Sequence, residues 1–371
     1  MKKILVIGGY GFFGNIITRR LAADPAIRVV IAGRDAEKCR VLAAELQKSP
    51  NLPLYHALDL DRDLQPVLDQ VKPDIVINAA GPFQGQDYKT AETCIAQGCH
   101  YIDLADARDY VAGFSALDKQ AKAKNLLAVS GASSVPCLTA AIIDHYLPEF
   151  GAIHSVDYGI TVAQKTRMGA STAAAVLSYA GKPFTTLRRK NMETVHGGLG
   201  LHVENYPELG LRLFGLCDIP DLALFPARYP ALENIRFSAG QEISLLQLGI
   251  WKLSLMVRAG IMRGLEPHAQ RLMKLRALFD IFGSDRSGLH MRLAGTGRNG
   301  KPRETTFYMI AKSGHGPHIP ATPAVLLAQG LAHNTITKRG AVPCMGLITL
   351  PHYMAGLKNF DIRTMETTTP A

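Results

Sequence analysis

The sequence predicts an α/β fold: a doubly wound parallel sheet, with a second α+β domain containing an antiparallel sheet. Three observations carry that expectation. The first third of the chain alternates short apolar runs with helical patterns joined by short connections, which is how a parallel sheet covered on both faces reads. The opening run Ile4-Leu5-Val6-Ile7 leads straight into Gly9-x-Gly11-x-x-Gly14 and then a helical pattern with Phe13, Ile17 and Leu21 spaced by four. Around residues 131–139 the alternation stops, and further on two strands joined across Asn299-Gly300 mark an antiparallel sheet among helices. With 371 residues the chain has room for two domains. We place them at 1–150 and 151–339, with the segment 340–371 packing back on the first.

The elements follow in order. After the opening strand and helix, residues 28–32 read as a second strand, and 35–47 as a helix that Asp35 can cap. Residues 54–60 and 74–79 are the third and fourth strands, and 87–97 is helical. A fifth strand at 100–104, a helix at 108–124 and a sixth strand at 126–130 complete the sheet. In the usual order of such sheets the first and fourth strands flank the switch point where ligands bind. A helix at 137–146 leaves this domain and a strand at 155–162 opens the next. Then come a small-residue helix (170–180), a loop rich in glycine and charge (181–200) and irregular Pro-containing segments to about residue 230. Residues 241–282 are mostly helical. Residues 289–294 and 305–311 are two strands joined across Asn299-Gly300. Helices at 322–332 and 351–357 follow, and the tail from 367 is expected to fray.

The glycine turn carries the functional expectation. Gly9 allows a tight turn, Gly11 lets a pyrophosphate approach the backbone, and Gly14 lets the helix pack closely on the strand. The helix N-terminus then offers the N–H groups of Phe12 and Phe13 to phosphate. A fold of this kind that uses NAD has an acid about twenty residues on, at the end of the second strand. Here that place holds Arg34, followed by Asp35. A guanidinium grips a 2′-phosphate through forked donors, so NADP is favoured over NAD. Lys38, one turn later, adds charge; Asp35 as a ribose acid is the competing assignment. Asp59 ends the third strand where an adenine edge would lie. Ala80, Gly81 and Pro82 end the fourth, where small residues admit the nicotinamide ribose.

Composition bounds the rest. The chain is 47% hydrophobic and 19% charged, with a net charge of +10. The basic residues are scattered apart from Arg188-Arg189-Lys190, and no nucleic-acid motif occurs. Six cysteines without a Cys-x-x-Cys pair read as reduced, mostly buried thiols of a cytoplasmic protein. The N-terminal apolar run is too short for a signal peptide.

The strand Val76-Ile77-Asn78-Ala79-Ala80-Gly81-Pro82-Phe83 resembles the saccharopine dehydrogenase-like superfamily. So do Gly98-Cys99-His100-Tyr101-Ile102-Asp103-Leu104, Ala32-Gly33-Arg34, Gly314-His315-Gly316-Pro317-His318 and Gly340-Ala341-Val342-Pro343-Cys344. The resemblance is firm over roughly the first 140 residues. It implies an NADP-binding Rossmann domain, a second α+β domain that closes the cleft, and a homodimer formed through that domain's sheet. It also implies a C-terminal segment folded back on the first domain. The chain departs at Asp103-Leu104-Ala105-Asp106, where many relatives have Gly-Glu a few residues later. It departs again at 131–137, where relatives often show a Gly-Phe-x-Pro-Gly turn. Saccharopine is therefore a doubtful substrate.

Hydride transfer needs a proton donor or acceptor beside the nicotinamide. Asp103 and Asp106, after the fifth strand, are the catalytic candidates; Asp106 capping the next helix is the structural alternative. Lys165 and Arg167 are candidate anion binders and Tyr101 a candidate donor. His315 and His318 lack a Cys or acid at ligand spacing, so no metal is expected, and Ser133-Ser134 lacks a hydrolase pattern. The apolar stretch 243–262, followed by Arg263, Arg271, Lys274 and Arg276, is too interrupted to span a membrane. It reads as a core or dimer helix, or as a surface for acidic lipid. The function expected is NADP-dependent oxidation or reduction at an imine, amine or carbonyl of a small metabolite. The alternatives are an enoyl-reductase-like enzyme on a lipidic substrate and a non-catalytic NADP-binding protein.

Overall fold

In a computed structural model, residues 1–166 and 169–370 are described. The chain forms two compact units: Met1–Ala140 with His318–Gly356, and Ala141–Pro317 with Leu357–Ala371.

In the first unit the apolar runs become β1 (Lys2–Ile7), β2 (Ile27–Gly33), β3 (Leu54–Ala57), β4 (Ile75–Asn78), β5 (His100–Asp103) and β6 (Leu127–Ser130). They pair in the order β6-β5-β4-β1-β2-β3, and a seventh strand, Gly340–Pro343, pairs with β6 at one edge. Every pairing is parallel. Strands covered on both faces need continuous apolar sequence. Ile4, Leu5, Val6, Val30, Ile31, Val76 and Ile77 are all fully buried. At the far edge β3 leaves Leu54 and Tyr55 exposed. The helices α1 (Phe12–Ala22), α2 (Ala36–Glu45), α3 (Leu64–Val71) and α4 (Lys89–Ala96) make the crossovers.

The returning helix His318–Ala332 packs on α1. Arg20 fastens the two: its guanidinium donates to Thr322 Oγ1 at 2.6 Å and to the Gly356 carbonyl at 2.9 Å. The Tyr353 hydroxyl donates to the Ile319 carbonyl at 2.6 Å.

The second unit is built on a seven-stranded sheet. Its strands include β7 (Phe150–Val162), β10 (His202–Tyr206), β11 (Gly210–Leu216), β12 (Asn234–Gln241), β13 (Ser287–Gly297) and β14 (Pro302–Ala311). A separate hairpin holds β8 (Pro183–Arg188) and β9 (Asn191–His196). The sheet order is β10-β11-β12-β7-β13-β14, ending on the tail strand Ile362–Pro370. The expected antiparallel sheet is therefore mixed, because β12 runs parallel to β7. One face is filled by Tyr206, Leu209, Phe214, Tyr308 and Ile310. Gly159 makes room in it: a Cβ there would lie 2.9 Å from His290 Cε1 and 3.0 Å from Phe214 Cε1.

Several expectations need correction. The segment 340–371 does not return as one piece: the chain rejoins the first unit at His318 and leaves it after Gly356. The tail does not fray, because 362–370 completes the second sheet against β14. The loop expected at 181–200 contains the β8–β9 hairpin. Arg189 and Lys190 take positive φ of 47° and 66° at its turn, so the usual glycine signal is missing. The segment read as irregular holds β10, β11 and the helix Asp221–Arg228. The helix expected at 108–124 is broken into Arg108–Gly113, a tighter turn, and Asp118–Ala123. All six cysteines are free thiols, and all but Cys217 are buried.

Candidate functional site

The site is assembled at the carboxyl ends of β1, β2, β4, β5 and β6. β1 pairs with β2 on one side and β4 on the other, so the turn after β1 lies at the point where strand order reverses. Backbone hydrogen bonds hold that turn, and the buried Thr18 hydroxyl adds one more by donating to the Gly9 carbonyl at 3.1 Å. Gly9 N–H donates to the Ala32 carbonyl at 3.0 Å and Gly11 N–H to the Gly8 carbonyl at 2.8 Å. The left-handed position is Gly8, with φ +73°, and not Gly9. A Cβ on Gly8 would also crowd Ala79 and Ala80 at 3.2 Å. Gly9 faces inward, where a Cβ would meet the Val6 carbonyl at 2.9 Å. Gly14 is the tightest: its Cβ would sit 2.0 Å from Gly8 O and 3.0 Å from Gly9 Cα. Helix and turn touch backbone to backbone there.

α1 starts from Gly11 with no side-chain cap and no acid in its first turn. Its first N–H groups, those of Phe12 and Phe13 among them, have no partner inside the helix. The positive end of the helix is open to an anion.

At the end of β2 the two competing residues are separated by their partners. Asp35 Oδ1 accepts the Lys38 N–H at 3.1 Å, capping α2, and Oδ2 pairs with the Lys38 ammonium at 3.3 Å. That hydrogen bond, with the ammonium, holds the Asp35 carboxyl below its ordinary range. Arg34 is exposed. Tyr10, which the sequence reading passed over, organises this corner. Its ring fills the place of a Gly33 side chain, with Cε1 2.4 Å from where a Cβ would stand, and its hydroxyl accepts the Asp35 N–H at 3.2 Å.

At the ends of β4, β5 and β6 the acids differ sharply. Asp103 is fully buried. Its Oδ1 accepts from Ala105 N–H at 3.0 Å, Ser130 Oγ at 2.9 Å and Gly131 N–H at 2.9 Å. Oδ2 is buried without a hydrogen-bond partner. Burial pushes the carboxyl up to about 6 against those donors. Asp103 thus ties the loops after β5 and β6 together. Asp106 is partly exposed. Its Oδ1 accepts from Gln84 Nε2 at 3.0 Å, and burial raises its carboxyl as well. It does not cap the following helix, which has no side-chain cap. Asn78 shapes the neighbouring turn: its Oδ1 accepts the Ala80 N–H at 3.0 Å. Gly81 and Pro82 follow directly.

With this geometry in view, residues 4–129 match the family described as the saccharopine dehydrogenase NADP binding domain. Residues 4–129, within the first unit, are thus similar in sequence to that NADP-binding domain. The whole chain also superposes on apo saccharopine dehydrogenase (L-Glu forming) from Saccharomyces cerevisiae, with a TM-score of 0.67, 14% identity and 100% of each chain covered. At that identity the likeness is one of fold. Looser likenesses include UDP-N-acetylglucosamine 3-dehydrogenase from Acidithiobacillus ferrooxidans (TM-score 0.43, 12% identity, 97% of this chain and 96% of that one). Amine dehydrogenase from Mycobacterium smegmatis gives a TM-score of 0.41 at 14% identity, over 65% of this chain and 78% of that one. By sequence, no curated protein matches.

The remaining candidates scatter. In the first unit, Asp59 lies just past β3, and its Oδ1 accepts the Asp61 N–H at 3.2 Å in a local turn. Tyr101 is fully buried, its hydroxyl accepting from Asn78 Nδ2 at 3.3 Å. His318 opens the returning helix. His315 belongs to the other unit, where its Nδ1 accepts the Asp361 N–H at 2.8 Å. Lys165 is exposed in that unit, and Arg167 lies outside the described residues. Among the described residues no group of three His, Cys, Asp or Glu side chains is placed to hold a metal ion. Sequence reasoning missed Gly8, Tyr10, Gln84 and Ser130. Only Gly8 carried a signal, as the extra glycine before the motif.

Proposed function

We propose that the chain is an NADP-dependent oxidoreductase acting at an imine, amine or carbonyl carbon of a small metabolite. The observation that carries the reading is the close-packed glycine turn under the uncapped N-terminus of α1, within a segment that matches an NADP-binding family. The cradle fits the cofactor: at Gly9 and Gly14 a Cβ would strike backbone, and the open helix end suits a pyrophosphate. Gly9, Gly11, Phe12, Phe13 and Gly14 would hold the phosphates. Arg34 would take the 2′-phosphate, since both Asp35 oxygens are already engaged. Asp59 would border the adenine, and Ala80, Gly81 and Pro82 the nicotinamide ribose. Bound NADP supplies the hydride chemistry.

For the proton, Asp106 is the better of the two acids. It is partly exposed, oriented by Gln84, and its carboxyl is raised toward the range where a proton can be given or taken. Asp103, with no exposed surface, acts as a positioning residue for the loops on either side. We further propose a cytoplasmic homodimer formed through the second unit's sheet. The test is NADPH oxidation followed at its absorbance band across panels of imines, aldehydes and keto acids. Turnover with one class, lost in Asp106→Asn while NADPH still binds, supports the proposal. Tight NADPH binding without turnover on any class makes the chain a binding protein instead.

A further inference from the structure

The helix Ser244–Arg258 leaves much of its apolar surface exposed. Its buried residues are Gln247, Ser254 and Val257. Leu245, Leu248, Leu255 and Met256 point outward, Leu245 with 62% of its surface exposed. Their spacings of three, seven and one put them on one stripe of a 3.6-residue helix, with Lys252 in the middle of it. The buried side meets a small apolar cluster of Ala173, Leu177, Ala180, Val257, Leu265 and Ala269.

The next helix, Ala269–Ala277, repeats the pattern. Leu272 and Met273 pack on that cluster, while Arg271, Lys274 and Leu275 share the opposite side. Beyond it Leu278, Ile281 and Phe282 are 71%, 81% and 73% exposed, and Ile261, between the helices, is 70% exposed. Large apolar side chains exposed in this number along one stretch of chain mark an interaction surface. A cavity of about 220 Å³ opens where the helices meet, lined by Leu253, Met262, Leu265, His268, Arg271 and Leu272.

Charge decides what covers this surface. Lys252, Arg258, Arg263, Arg271 and Lys274 are all exposed. Between residues 244 and 282 the acids are Glu266, paired with Lys182 at 3.0 Å, and Asp280, whose Oδ1 accepts from Gln164 Nε2 at 2.8 Å. A second copy docked symmetrically would bring these cations against their own counterparts. An anionic bilayer surface meets both demands, taking the apolar side chains at the headgroup boundary and the cations among its phosphates. No helix among the described residues is long and apolar enough to cross a membrane. The contact would therefore lie in the plane of the interface.

The geometry points to residues 244–282 as a docking surface for anionic phospholipid membranes. The test is co-sedimentation with vesicles made of equal parts phosphatidylserine and phosphatidylcholine, against pure phosphatidylcholine. The protein pellets with the anionic vesicles at low salt and is released by high salt. Each cation removed costs about fivefold in partitioning, so Arg271→Gln with Lys274→Gln lowers it roughly 25-fold. Ile281→Ser with Phe282→Ser lowers it about tenfold or more. In both variants the melting temperature and NADPH affinity stay as in the parent, because the substituted side chains are exposed. Three results would overturn the inference: no pelleting with anionic vesicles, equal pelleting with neutral ones, or a dimer in solution that Phe282→Ser splits into monomers.

Discussion

Gly14→Ala tests whether the cofactor turn depends on contact between helix and turn backbone. Two effects oppose each other. Alanine is the better helix former by about 1 kcal/mol, and Gly14 lies inside α1. Against that, the new methyl would be 2.0 Å from Gly8 O, 2.8 Å from Gly8 C and 3.0 Å from Gly9 Cα. All three are backbone atoms of a turn pinned at Ala32 and at β4, so none can swing aside. Overpacking of this kind costs about 1–3 kcal/mol, and a clash with fixed backbone belongs at the upper end. The clash wins, leaving a net loss of about 2 kcal/mol. That lowers the melting temperature by roughly 4–8 °C. Since the same shift moves the turn, NADPH affinity falls with it. The control is Gly249→Ala in the second unit's helix Ser244–Arg258, where a Cβ meets nothing within 4 Å. There only the helix preference remains, and stability rises by about 0.5–1 kcal/mol. Differential scanning fluorimetry and an NADPH titration measure both variants. A Gly14→Ala protein as stable as its parent, with unchanged NADPH affinity, would refute the reasoning.

Three other outcomes are expected. Arg34→Ala weakens NADPH by roughly 10- to 100-fold, the value of a charge-assisted contact, and leaves NADH nearly unchanged; equal losses for both would remove Arg34 from the 2′-phosphate site. Asp103 carries a raised carboxyl, so its contribution to stability is fully present below the ordinary pKa of 3.8 and is lost as pH rises through about 6. Asp103→Asn should therefore gain on the parent by about 2 kcal/mol between pH 4 and 7 in urea unfolding, and a constant difference across that range would contradict the assignment. His290 is fully buried, its Nδ1 2.7 Å from the Tyr206 hydroxyl, and burial lowers its pKa to about 4. A lowered histidine pKa gives stability present at neutral pH and lost as pH falls from about 6.5 to about 4; His290→Gln should flatten that limb, and an unchanged acid limb would exclude His290 as its source.

The sheet of the first unit was legible because its strands are buried on both faces and must be apolar throughout. The run from Ile4 to Ile7 is unmistakable for that reason. The glycine turn was legible because only a missing Cβ permits its contacts, as Gly14 against Gly8 makes plain. The second unit was harder to read. Its β8–β9 turn uses Arg189 and Lys190 in left-handed conformations that more often call for glycine or asparagine. Its tail strand, Ile362–Pro370, is read from polar residues and acquires its structure only by pairing with β14. The candidate acids show the same limit. Spacing set Asp103 and Asp106 side by side, yet one is fully buried under three donors and the other partly exposed. Little local distinguishes them, because Ser130 and Gly131 reach Asp103 from the end of β6 and Gln84 reaches Asp106 from the loop after β4.

Isothermal titration of the full chain with NADPH and with NADH tests the central claim most directly. The account predicts saturable binding of NADPH, at least tenfold weaker binding of NADH, and loss of both on Gly11→Val. That substitution places a branched side chain 3.0 Å from Gly8 O at the mouth of the helix end. No heat with either nucleotide, or an affinity that Gly11→Val leaves untouched, would contradict it.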